Sequence, residues 1–163
     1  MSSLHALSIL LADDSQPMRV IASAILHSAG IRKIREVGDG AAALEALREA
    51  PVDIAIVDFN MFPLDGVEFT RLVRNSPDSP NRYLPIIMMT GHSEKARVME
   101  ARDAGVTEFA VKPITAKAIL DRIQAVIIRP RAFVKTDDYF GPDRRRGNPA
   151  GYEGPLRRIS DPK

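Results

Sequence analysis

The chain has 163 residues and not one cysteine, which excludes disulfides and thiolate metal sites. No apolar run approaches the ~20 residues of a membrane-spanning helix. The opening MSSLHALSILLADD lacks the basic start and long apolar stretch of a secretory signal. No membrane association is therefore expected, and a cytoplasmic protein is. A large excess of one charge is missing too: the net charge is +2. That balance hides an asymmetry. Residues 1–128 hold 14 Lys/Arg against 16 Asp/Glu, whereas residues 129–163 hold 9 against 5. The basic character belongs to the C-terminal stretch.

What the chain does have is 45% hydrophobic residues, enough for a packed core. They fall into short apolar runs at 8–12 (SILLA), 34–37 (IREV), 54–57 (IAIV), 86–90 (IIMMT) and 109–111 (FAV). Runs of that length, apolar nearly throughout, read as strands buried on both faces of a parallel sheet. Segments with helical apolar spacing lie between them, at 17–29, 40–50, 66–75, 94–104 and 115–128. Five strand–helix repeats predict an α/β fold, a doubly wound five-stranded parallel sheet with helices on both faces. The length suits one domain over residues 1–128, with a basic Pro/Gly-containing tail over 129–163 that forms no separate domain.

Such sheets bind ligands outside the carboxyl ends of their strands. Asp13 and Asp14 follow the first run, Asp58 follows the third, Thr90 ends the fourth, and Lys112–Pro113 follow the fifth. After the second run, Gly38, Asp39 and Gly40 look like a turn and helix start. Taken singly, each residue is usually a turn former or a helix cap. Their joint placement at four of five strand ends is harder to explain that way. Packed carboxylates raise one another's pKa and call for a cation. Oxygen ligands alone favour Mg²⁺ or Mn²⁺. A cation beside an ammonium and a hydroxyl suits a phosphoryl group, and a carboxylate can itself be the nucleophile.

The segments LLADDSQPMR, IVDFNMFPLDG, MMTGH and FAVKP resemble the four signatures of bacterial response-regulator receiver domains. The resemblance covers residues 8–128, and the spacings of 32 residues from Asp58 to Thr90 and 22 from Thr90 to Lys112 agree with it. It implies the flavodoxin-like strand order 2-1-3-4-5. It makes Asp58 the phospho-acceptor, Asp14 the direct metal ligand and Asp13 the acid that holds the metal through water. Asn60 would lend its backbone carbonyl to the metal. Thr90 becomes the switch hydroxyl, Phe109 the switch aromatic, and Lys112 the partner of a phosphoryl oxygen, with Lys112–Pro113 cis. His92 resembles the position that tunes dephosphorylation rate. One departure is Phe62, which stands between Met61 and Pro63 where the family has Met-Pro, while Asp65-Gly66 keep their distance from Asp58.

The resemblance also implies partners: a histidine kinase or phosphotransfer protein as donor, and a downstream protein target. Output or homodimer formation would use the face made by the fourth helix, fifth strand and fifth helix of the five repeats. Such a chain is no enzyme beyond catalysing its own phosphorylation and dephosphorylation. An alternative is an aspartyl-phosphate phosphatase-like enzyme, but that wants an acid two residues after the nucleophile, and position 60 is Asn. Nucleic-acid binding through the tail ranks lowest, because five acids are interspersed there. Phe133, Val134, Tyr139 and Phe140 fall within eight tail positions. Phe133, Tyr139 and Phe140 are expected to pack on an apolar patch near the last helix, on the domain itself or on a second copy.

Overall fold

The computed structural model describes residues 2–91 and 96–144. A short helix α1 (Ser2–His5), unforeseen in the sequence, precedes five strand–helix units. These are β1 (Ser8–Ala12) and α2 (Gln16–Ser28), β2 (Lys33–Val37) and α3 (Gly40–Glu49), β3 (Ile54–Asp58) and α4 (Gly66–Asn75), β4 (Ile86–Thr90) and α5 (Val98–Ala104), and β5 (Glu108–Val111) and α6 (Ala116–Ile128). The five strands form one parallel sheet in the order β2-β1-β3-β4-β5. The expected fold and strand order are both found.

Side chains alternate across the sheet, so each strand feeds two cores. Leu10, Ala12, Ala55, Val57, Ile86 and Met88 face a core covered by α3, α4 and α5. Ile9, Leu11, Ile54, Ile56, Ile87 and Met89 face the other, covered by α2 and α6. Leu4 and Leu7 pack at the edge of this second core. β3 and β4 are buried along their whole length. β2 corrects the sequence reading: Lys33, Arg35 and Glu36 are exposed, because this strand lies at the sheet edge.

Side-chain caps set the helix starts. Ser15 caps α2, Asp39 caps α3, Thr115 caps α6, and Asp65 with Glu68 closes a reciprocal capping box at α4. α5 begins at Val98, later than the residue-94 start expected, though 92–95 lie outside the described residues. Among the described residues no helix is long and apolar enough to cross a membrane.

The structure differs most from expectation after α6. β6 (Phe133–Thr136) and β7 (Tyr139–Pro142) form an antiparallel hairpin. It packs on the domain itself, against α4 and α5, and its two phenylalanines meet Tyr83, Arg74 and Arg82, where a patch near the last helix was expected. The reason is chemical. Phe133 and Phe140 meet Tyr83 edge-on at 5.0 and 5.5 Å, and the guanidinium groups of Arg74 and Arg82 lie over their rings at 5.0 and 4.0 Å.

Candidate functional site

Three parallel strands, β1, β3 and β4, end side by side, and β5 lies outside β4. The register sets Asp58 beside Met89 and Thr90 beside Val111. Every strand-end residue singled out in the sequence therefore arrives at one edge. Carboxylate oxygens of Asp13, Asp14 and Asp58 all lie within 4.8 Å of one another. Asp13 and Asp58 are 1% and 3% exposed, whereas Asp14 is open to solvent.

Backbone and basic groups hold this cluster. Ser15 N donates to Asp13 Oδ1 at 2.9 Å, and Arg19 Nη1 donates to the Asp13 carbonyl at 2.5 Å. Asn60 N donates to Asp58 Oδ2 at 3.0 Å, and the Lys112 ammonium pairs with Asp58 Oδ1. The β4–β5 ladder continues past the strand ends, since Lys112 N donates to Thr90 O at 2.7 Å. The Lys112–Pro113 peptide is cis as expected, and Phe62–Pro63 is cis as well. Thr90 is buried at 3% exposure, and Phe109 is half-buried against the core under α3, α4 and α5. His92 lies outside the described residues.

Two residues given no role in the site by the sequence also build it. Arg19, three residues after a turn-like segment, looks like an ordinary solvated helix residue until its reach to Asp13 is visible. Gly66 lies so close to the acceptor strand that an added Cβ would sit 2.5 Å from the Asp58 carbonyl oxygen. The Asp-Gly pair noted in the sequence is the only available signal for it.

Burial pushes the Asp58 carboxyl up to about 6; Lys112 opposes this and the nearby Asp13 charge adds to it. Burial likewise raises Asp13 above the ordinary carboxylate range. Asp13 Oδ2 has no hydrogen-bond partner among the described residues. A buried orphan carboxylate oxygen within a tight all-oxygen cluster fits a hard divalent cation. Asp13, Asp14 and Asp58 are the groups able to hold one.

A pH dependence follows. With its pKa raised from 3.8 to about 6, folded Asp58 binds more protons than unfolded Asp58 between those values. Its contribution to stability therefore falls as pH rises through that window, and the penalty is complete above about 6. In EDTA, urea denaturation at pH 4 and pH 7.5 should show the wild type losing up to about 3 kcal/mol relative to Asp58→Asn. Parallel pH profiles for the two proteins would contradict the burial penalty.

Comparison with known proteins fits this geometry. A family model for the response regulator receiver domain matches residues 9–124. The chemotaxis protein CheY of Pseudomonas aeruginosa is 32% identical over 123 residues, covering 76% of this chain and 98% of that one. The high-resolution structure of the chemotaxis response regulator CheY4 of Vibrio cholerae superposes with a TM-score of 0.66 at 32% identity, over 74% of this chain and 98% of that one. The receiver domain of a P. aeruginosa sensor histidine kinase was solved with a magnesium ion coordinated in its active-site cleft. It superposes with a TM-score of 0.65 at 26% identity, over 72% of this chain and 94% of that one. Residues from β1 to α6 thus build a two-component, phosphorylation-switched signalling module, and the chain belongs to the response regulator receiver domain family.

Proposed function

We propose that Asp58 is the phospho-acceptor, with a histidine kinase or phosphotransfer protein as donor. The observation that carries this reading is the setting of Asp58. It is a buried carboxylate at a strand end, flanked by two further acids and paired with one ammonium. A carboxylate oxygen of Asp58 attacks phosphorus, the bond from phosphorus to the donor imidazole breaks, and an acyl phosphate forms while the imidazole departs with a proton. Asp13, Asp14 and Asp58, with the Asn60 backbone carbonyl, would hold Mg²⁺; Mn²⁺ suits the same oxygen set. The bound cation would offset the charge of the acid cluster and of the incoming phosphoryl group. Lys112 neutralises a phosphoryl oxygen. Thr90 donates its hydroxyl to another, and Phe109 follows it inward, changing the face formed by α5, β5 and α6. His92 tunes dephosphorylation. Output is then binding of a protein target, in the cytoplasm, with a homodimer through the same face as one form of it.

On this reading the chain catalyses only its own phosphorylation and dephosphorylation. An Asn at position 60 supplies no general acid, so a phosphatase reading finds no support. The test is incubation with acetyl phosphate or a histidine kinase, with and without Mg²⁺. One base-labile phosphoryl group should appear on Asp58 only when Mg²⁺ is present; labelling that is indifferent to EDTA would count against the assignment.

Lys112→Ala separates the two cationic roles. The ammonium faces the acceptor and leaves the rest of the acid cluster to the cation. Calorimetry should therefore show Mg²⁺ affinity retained within about tenfold. The phosphorylation-dependent change in partner binding should be lost. Complete loss of Mg²⁺ binding would contradict this division.

A further inference from the structure

The hairpin after α6 is attached to the elements that connect Thr90 with Lys112. Arg144 pairs with Asp103 of α5 at 2.5 Å, and Arg102 of α5 donates to the Arg144 carbonyl at 2.8 Å. Arg131 lies 3.5 Å from Glu108 of β5 and donates to the Asp143 carbonyl at 3.0 Å. These links bind the two chain segments flanking the hairpin to α5 and to the first residue of β5. The hairpin body adds buried contacts. Tyr139 and Val134 are 7% and 6% exposed, and Tyr139 donates to the Pro142 carbonyl at 2.7 Å under the Arg144 guanidinium. Gly141 packs so close to Gly105, between α5 and β5, that an added Cβ would stand 3.1 Å from the Gly105 Cα. Arg102, Phe109, Arg122, Arg131 and Arg144 share one cleft, so the hairpin's flanks form a wall of the α5–β5–α6 face.

This docking coexists with an Asp58 carboxylate held by Lys112. A phosphoryl group on Asp58 would draw Lys112 and Thr90 toward itself, and the chain runs from Thr90 to Lys112 through α5 and β5. Contacts as close as those at Asp103, Glu108 and Gly105 cannot follow such a shift unchanged, because packed interfaces are bistable. We propose that the β6–β7 hairpin is an internal brace that holds α5 and β5 in the arrangement in which Lys112 pairs with the Asp58 carboxylate. Phosphorylation loosens the brace, and by reciprocity an undocked hairpin favours phosphorylation. This rests on Asp58 being the acceptor.

Amide hydrogen exchange of residues 133–142 in the full chain, with acetyl phosphate and Mg²⁺ present or absent, tests the brace, and intact mass in the same samples reports the phosphoryl group. Exchange of the hairpin amides should rise about fivefold in phosphorylated protein, the lower end for coupled sites. Phe140→Ala, and separately Asp103→Asn on the exposed ion pair, should reach half-phosphorylation at about fivefold lower acetyl phosphate. Unchanged circular dichroism would show that each variant is folded. Phosphorylated protein with unchanged hairpin exchange overturns the brace and leaves the acceptor assignment standing. So do folded variants that are phosphorylated like the wild type. A chain that takes no phosphoryl group overturns both.

Discussion

Asp58→Asn should accept no phosphoryl group from acetyl phosphate or from a kinase, a fall of about a thousandfold or more in rate. The substitution keeps size and shape and removes only the anionic oxygen. An amide oxygen is a poor nucleophile toward phosphorus, and the amide nitrogen would face the Lys112 ammonium where Oδ1 stands. Local structure should survive, since the Asn60 N–H can still find the side-chain carbonyl that replaces Oδ2. It should in fact be firmer in EDTA at neutral pH, because the buried charge that pushes the Asp58 carboxyl up to about 6 is gone. Two opposite effects are therefore expected from one atom: chemistry lost and metal-free stability gained. Radiolabel transfer and urea denaturation measure them independently. Labelling of the variant at the wild-type rate would move the acceptor elsewhere, and Asp13 or Asp14 would be the residues to test next.

Arg74→Ala should destabilise the domain by about 4 kcal/mol, a large share of the 5–15 kcal/mol typical of a domain. Arg74 is fully buried on α4, yet no carboxylate is paired with it among the described residues. Burial lowers its pKa to about 10, so it remains charged at neutral pH. Its guanidinium is satisfied by neutral groups: Nε donates to the Gly105 carbonyl at 3.0 Å, Nη1 to the Arg82 carbonyl at 2.8 Å, and Nη2 to Thr107 Oγ1 at 3.3 Å. Phe133 covers it from the hairpin side. Alanine would leave a cavity and orphan two carbonyls at once. Gly105 shows how closely the site is fitted, with φ +112 and an added Cβ only 2.9 Å from the Arg74 side chain. Arg74→Met keeps much of the stem volume, so its smaller loss, about 2 kcal/mol, reports the polar part. Urea midpoints for both variants decide the matter. A loss under about 1 kcal/mol for Arg74→Ala would mean that the neighbouring carbonyls find other donors.

The reach of the sequence follows from the range of the forces involved. The five strands were legible because burial on both faces demands nearly continuous apolar runs, and three of them bury as expected. Edge position broke the rule for β2, where Lys33, Arg35 and Glu36 meet water, and for β5, where Val111 does. Helix starts were legible where a short polar side chain caps its own helix, as Asp39 and Asp65 do. The hairpin was not legible, because its folding depends on partners far away in the chain. Tyr83 and Phe140 are separated by more than fifty positions, and no local periodicity records their contact.

The sequence by itself placed Asp13, Asp14, Asp58, Thr90 and Lys112 at one edge of the sheet, since parallel-sheet topology delivers every strand end there whatever the details of packing. It also determined the two-sided core, through nearly continuous apolar runs in the central strands. Tertiary structure alone decided the protonation chemistry of Asp58, because burial depends on what surrounds a residue and not on its neighbours in the chain. It alone decided that a buried arginine is satisfied by carbonyls of distant loops. And it alone decided that the first part of the basic tail is a folded hairpin on α4 and α5. The attraction of guanidinium groups for aromatic faces and carboxylates acts only once the chain has brought them within a few ångströms.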